Sequence, residues 1–231
     1  MNYDEETPWK RSAGDARVWA ALRTRAERAA KLASAPEVVV GRELALIQPV
    51  LVSACSKEDI GLLPHTRVRN RMLRFLDELA RALAAWYVSR PETAHVRVIS
   101  KAREEHRAPL GLDELMFDIV ACEVTSATMP GTDLPRLLAT RVLWEIVTAF
   151  DSSPAEALTR FNKLVLGGGA AKLLIAHHTP HDAAYLRALW TSARCCSGMV
   201  FAALITHPAR WHREALTVST FVAGERGWMP I

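Results

Sequence analysis

The sequence predicts an α/β fold: a mixed sheet with a parallel βαβαβ C-terminal half, flanked by helices, and an α-rich N-terminal part. Three observations carry this expectation. Short apolar runs rich in β-branched residues recur after His95. Two of the segments between them open with "SPAE" and "TPHD", a hydroxyl residue followed by proline and then an acid three positions on. That pattern marks a capped helix start with proline in its first turn. Finally, "RVRNRMLRFLDELARALAAWYV" places Met72, Phe75, Leu76, Leu79, Leu83, Trp86 and Tyr87 at steps of three and four, which gives one broad buried helical face.

Taken in order, residues 1 to 12 carry no periodic pattern. A helix is expected from about Ala13 to Ser34, with Val18, Leu22, Ala26, Ala29 and Leu32 as its stripe. The stretch "GRELALIQPVLVSACS" is ambiguous, because Pro49 should kink or divide it. After the helix of residues 67 to 88, "HVRVIS" alternates at period two and reads as a strand. "LMFDIVACEVTSA" reads as a second strand. Residues 134 to 140 are expected to form a short helix, and "VLWEIVTAF" a third strand. The helix opened by Ser153, Pro154 and Glu156 stops at Gly167, Gly168 and Gly169. "KLLIAHH" follows as a buried strand, then a helix in which Thr179 caps and Asp182 closes the box. "MVFAALITHP" is the next strand and "ALTVSTFVA" the last. Short links and right-handed crossovers make the three strands around these two helices parallel. The expected division is an α-rich region over 1–66 and an α/β core over 67–231.

The chain has 231 residues, half of them apolar and 23% charged, so it has enough apolar material for a core. Its formal charge of +4 is compatible with a polyanion partner without demonstrating one. Cys55, Cys122, Cys195 and Cys196 contain no CxxC pair, which argues against a zinc ribbon; they are expected to be reduced, buried thiols. The acidic, polar N-terminus does not read as a signal peptide, and no apolar run approaches the ~20 residues of a membrane span. A cytoplasmic location without membrane contact is therefore expected. Two basic clusters stand out: Lys10, Arg11, Arg17, Arg23, Arg25, Arg28 and Lys31, and then Arg67, Arg69, Arg71 and Arg74. A charge run is usually a solvated helix face; the alternative is a phosphate-contacting surface.

The order helix, two strands, third strand, crossover helix, further strand, with an acid in "FDIV", resembles the PD-(D/E)xK, restriction-endonuclease-like nuclease superfamily over about residues 70 to 206. The resemblance implies an Asp at the second strand and an acid on the third, together holding Mg²⁺, with a Lys two residues later to position water. A hard cation requires such clustered oxygen ligands. Residue by residue, Asp118 takes the first place and Glu145 the second. The lysine position is then Val147. A shift by two makes Val147 the acid and Ala149 the lysine, and both are lost. Lys163 on the following helix is the candidate for a migrated lysine. Lys172 is expected at the far end from the third strand's acid. Apart from the resemblance, Asp118 reads as a capped or salt-bridged acid at a strand start and Glu145 as a rim acid facing solvent. The resemblance implies a nucleic-acid-associated protein, either a non-catalytic member of a nucleoprotein or defence-type assembly or an active Mg²⁺-dependent DNA nuclease. Its partners would be DNA or another nucleic acid, a protein, or a second copy.

A competing constellation is His177, His178 and His181 after one parallel strand and His207 after the next, where ligands of wound sheets gather. Imidazoles there suit a transition metal or a small molecule, although loop histidines are mostly solvated. Arg90 and His95 in "RPETAH" match a ribonuclease spacing that belongs on a helix, but Pro91 directly follows the arginine. "GGGAAK" follows a helix and precedes a strand, the reverse of a phosphate loop, and reads as a helix stop. Among the tryptophans only Trp211 and Trp228 read as exposed anchors.

Overall fold

The computed structural model describes residues 36–55, 67–112, 114–128, 135–150 and 153–231. The helix expected over 13–34, and with it Arg17, Arg23, Arg25 and Arg28, lies outside the described residues. Contacts divide the chain into two compact units, Met1–Arg42 and Glu43–Ile231.

The second unit is built on one seven-stranded sheet whose strands lie side by side in chain order. They are β1 (Val96–Ser100), β2 (Ile119–Thr128), β3 (Pro135–Ala149), β4 (Ala171–His177), β5 (Met199–Ile205), β6 (Val218–Gly224) and β7 (Gly227–Pro230). The pairings of β3 with β4 and β4 with β5 are parallel and the other four are antiparallel. The expected parallel βαβαβ half is thus present. The helices are α1 (Pro36–Cys55), α2 (Val68–Val88), the single turn α3 (Glu104–Arg107), α4 (Pro154–Leu166) and α5 (Asp182–Ala193).

Two apolar clusters lie on opposite faces of the sheet. On one, Phe75, Leu79 and Leu83 of α2 and Leu46, Val50 and Leu51 of α1 pack with Trp144, Ile146, Leu173, Ile175 and Phe201. On the other, Phe161 and Leu164 of α4 and Leu186 and Leu189 of α5 pack with Val147, Ala149, Leu174, Ala176 and Ala202. Every buried β4 residue serves one cluster or the other, apart from Lys172. A strand covered on both faces therefore reads as a nearly continuous apolar run.

Several local expectations hold and several need correction. Ser153 Oγ accepts from Glu156 N at 3.3 Å while the Glu156 carboxylate accepts from Ser153 N at 2.8 Å, so the first capping box is formed. At α5 the box is shifted. The Asp182 carboxylate accepts from Thr179 N at 2.6 Å, but the Thr179 hydroxyl takes His181 N and the helix begins only at Asp182. Pro49 does not divide α1, which runs through it. Burial of Leu46, Ile47, Val50 and Leu51 on both sides offsets the lost backbone hydrogen bond. Residues 135–140 are not a helix but the outer part of β3, in which Pro135 to Ala139 pair with Thr128 to Val124, because the cross-strand partner overrides local preference. The last strand expected is followed by a further one, β7. Cys55 and Cys122 are buried free thiols, as expected. Cys195 is exposed and Cys196 half-buried, since both fall in the turn after α5. Trp211 is buried, donating its indole N–H to the Thr206 carbonyl, and so is no exposed anchor.

Candidate functional site

Asp118 immediately precedes β2 and is 7% exposed. Its Oδ2 accepts from both the Thr148 backbone N–H at 2.7 Å and the Thr148 hydroxyl at 2.8 Å, and Lys101 Nζ lies 3.9 Å from Oδ1. Ile119 lies opposite Ile146, so the next rung brings Asp118 beside Val147. Val147 and Ala149 are each 1% exposed and belong to the apolar cluster under α4 and α5.

Glu145 is somewhere else. It is 2% exposed rather than at a solvent rim. It sits at the amino end of the parallel strands, under the turn that joins α4 to β4. Its Oε1 accepts from Gly169 N at 2.9 Å, and its Oε2 faces Lys172 Nζ at 3.7 Å with no hydrogen bond of its own. Lys172, fully buried, donates to the Gly167 carbonyl at 2.7 Å and to Ser197 Oγ at 3.0 Å. The expectation that Lys172 lies far from the third strand's acid is therefore corrected: the parallel register sets Glu145 directly beside Lys172. Lys163, half-buried on α4, is not the lysine of this pair. The glycine triplet also does more than stop a helix. A Cβ on Gly167 would fall 2.0 Å from Glu145 Oε2, and one on Gly169 would fall 2.9 Å from its Cδ, so the carboxylate rests where side chains would be.

Asp118 is thus held at Thr148 and Glu145 at Gly169. Thr148 lies three residues beyond Glu145, about 10 Å along an extended strand at roughly 3.3 Å per residue. A divalent cation with ligands at about 2–2.6 Å does not fit two carboxylates placed and bonded in this way. Among the described residues no group of three or more His, Cys, Asp or Glu converges on a point that could hold a metal ion.

The histidines do meet. His177 ends β4, His207 follows β5, and their rings stand edge to face with centroids 4.7 Å apart. His207 accepts from Ala209 N at 3.1 Å, while His177 Nδ1 is buried without a hydrogen-bond partner. Burial pushes the His177 imidazole below its ordinary value, and the nearby Phe150 backbone and the Asp182 carboxylate offset this only in part. His178 shares a 2.7 Å contact with Asp182. Burial alone would raise that carboxyl, but His178 and Thr179 together hold it below its usual range. His178, His207, Arg210 and Glu214 border a polar cleft of about 400 Å³ at this end of the sheet. His181, at the α5 N-cap, is exposed and does not join them.

Of the second basic cluster, Arg67, Arg69 and Arg74 are exposed. Arg71 is not available to a ligand: at 3% exposure its guanidinium donates to the Pro208 carbonyl at 3.0 Å and faces His212 Nδ1 at 3.1 Å. Arg90 lies over the Trp86 ring at 3.6 Å, and His95 is turned to Glu123, so the "RPETAH" residues are engaged separately. No helix among the described residues is long and apolar enough to cross a membrane. No family model, curated protein or solved structure matches the chain. The assignment of function therefore rests on these sites alone.

Proposed function

We propose that this chain is a nucleic-acid-associated protein with a restriction-endonuclease-like core and no working nuclease centre, acting as a non-catalytic member of a nucleoprotein or defence-type assembly. The observation that carries this reading is the surroundings of Asp118. Its carboxylate is closed onto Thr148, and the strand positions beside it hold Val147 and Ala149, packed into the core. The order of β1 to β4, antiparallel up to β3 and parallel beyond it across α4, supports the core assignment. Exposed Arg67, Arg69 and Arg74 and the net charge of +4 support a polyanion partner.

Incubation with plasmid and single-stranded DNA in Mg²⁺ or Mn²⁺ is expected to give no cleavage, for wild type as for Asp118→Ala and Glu145→Ala. A gel shift is expected to show DNA binding that weakens steeply with salt. Metal-dependent cleavage that Asp118→Ala abolishes would establish the active nuclease instead. Absence of binding at low salt would remove nucleic acid as a direct partner.

The meeting of His177 and His207 beside a polar cleft favours a second reading, an unrelated α/β protein with a metal or small-molecule site at the carboxyl ends of β4 and β5. Titration with Zn²⁺ or Ni²⁺, against a His177→Asn/His207→Asn control, tests the metal form of it.

A further inference from the structure

Between α5 and the β6–β7 hairpin lies a cavity of about 440 Å³. Its walls include Leu186, Trp190, Phe221 and Trp228, and its mouth carries Arg187 and Arg226. The aromatic side chains are half-buried, and the two arginines are exposed. Both indole N–H groups are already used: Trp190 Nε1 donates to the Gly224 carbonyl at 3.0 Å and Trp228 Nε1 to the Leu186 carbonyl at 2.6 Å. These bonds hold the two indoles across the gap between helix and hairpin; the Arg194 guanidinium already lies over the Trp190 ring, 5.0 Å from its centroid, so what is left for an occupant is the Phe221 and Trp228 rings and the side of Trp190 turned away from Arg194. Neither Arg187 nor Arg226 has an ion-pair partner among the described residues, and no acid lines the cavity.

We infer that this cavity takes an unpaired base of a single-stranded nucleic acid, stacked on the Trp190, Phe221 and Trp228 rings, with the flanking phosphates on Arg187 and Arg226. The inference rests on the nucleic-acid reading above and names a site for it. Ring faces without free donors suit stacking, which is tolerant of sequence because every base has a π-face. A base inside a duplex offers no free face, so the site selects single strands. Unpaired guanidinium groups at the rim of an apolar cavity match phosphate, which accepts in the fork geometry arginine presents. An apolar peptide would fill the walls but leave both arginines unanswered.

The test uses the full chain and a fluorescein-labelled twelve-residue oligo(dT), followed by anisotropy and by quenching of tryptophan emission, with a duplex of equal length for comparison. Wild type is expected to bind the single strand more tightly than the duplex and to lose tryptophan emission on binding. Trp228→Leu is expected to weaken single-strand binding roughly five- to 150-fold, the range for one stacked base. Arg187→Glu/Arg226→Glu, on exposed positions where folding is not at risk, is expected to weaken it at least tenfold. It should also flatten the salt dependence by about 1.4 logarithmic units per decade, the value for two phosphate contacts on a single strand. If the single strand binds but the arginine variant matches wild type, the site is wrong while the nucleic-acid reading stands. Equal affinity for duplex and single strand would also overturn the site. If wild type binds neither, both readings fall together.

Discussion

Replacing Lys172 by methionine isolates the least ordinary feature of the core. Lys172 is fully buried and Glu145 is 2% exposed, so neither charge has water to fall back on. The substitution keeps the length and apolar character of the stem. It strips Glu145 Oε2 of its one ion-pair partner among the described residues and the Gly167 carbonyl of a 2.7 Å donor. Among the described residues, the 2.9 Å bond from Gly169 N is then the one that remains to the carboxylate. Breaking a buried pair by removing one partner typically costs about 3–5 kcal/mol. For a chain of this length that corresponds to a melting temperature lower by roughly 6–20 °C. Glu145→Gln should cost less, because Gln keeps an acceptor for Gly169 N while Lys172 retains the Gly167 carbonyl and Ser197 Oγ. In the double variant neither charge of the pair is left buried, so the two losses should fall short of additivity by about 1–3 kcal/mol. Urea unfolding of the wild type and the three variants measures the cycle. A Lys172→Met loss below about 1 kcal/mol, or an additive double variant, would refute the view that the pair is a closed structural unit.

Two further outcomes follow from the same geometry. Burial lowers the His177 imidazole in the folded chain, so protons bind the unfolded chain first. Its contribution is therefore present above about pH 6.5 and is lost as pH falls from there toward the depressed folded value. Asp182, held low when folded, loses its contribution only in the carboxylate range, below about pH 4. Urea stability between pH 7.5 and 4.5 should thus fall in wild type and stay flatter in His177→Asn; identical slopes would contradict this. Arg71→Met should destabilise the fold by roughly 1.5–3 kcal/mol, because the Pro208 carbonyl loses a charged donor, while Arg69→Ala should stay within about 0.5 kcal/mol. Thermal melts of the two variants decide whether the basic cluster on α2 is one surface or, as here, a surface interrupted by a structural arginine.

What was legible in the sequence was whatever a local rule dictates. Ser153 and Glu156 announce α4, the two-sided burial of β4 announces an apolar run, and the α2 stripe matches its buried face. The errors arise where a distant partner decides. The outer end of β3 is a strand because β2 lies against it, and Arg71 is buried because a carbonyl 137 residues away accepts a hydrogen bond from its guanidinium. Glu145 shows the limit most clearly. In the sequence it is a lone acid in an apolar strand, which invites a catalytic reading. The signal that could have corrected it was already present in "GGGAAK". Two of the three glycines, Gly167 and Gly169, clear space for a carboxylate, and a lysine in an otherwise apolar strand needs a buried counter-charge. Read jointly, those residues assign Glu145 to Lys172 and away from Asp118. What remains at Asp118 is an acid whose strand neighbours cannot hold a cation, and this turns the search for function from chemistry toward binding surfaces such as the aromatic cavity beside α5.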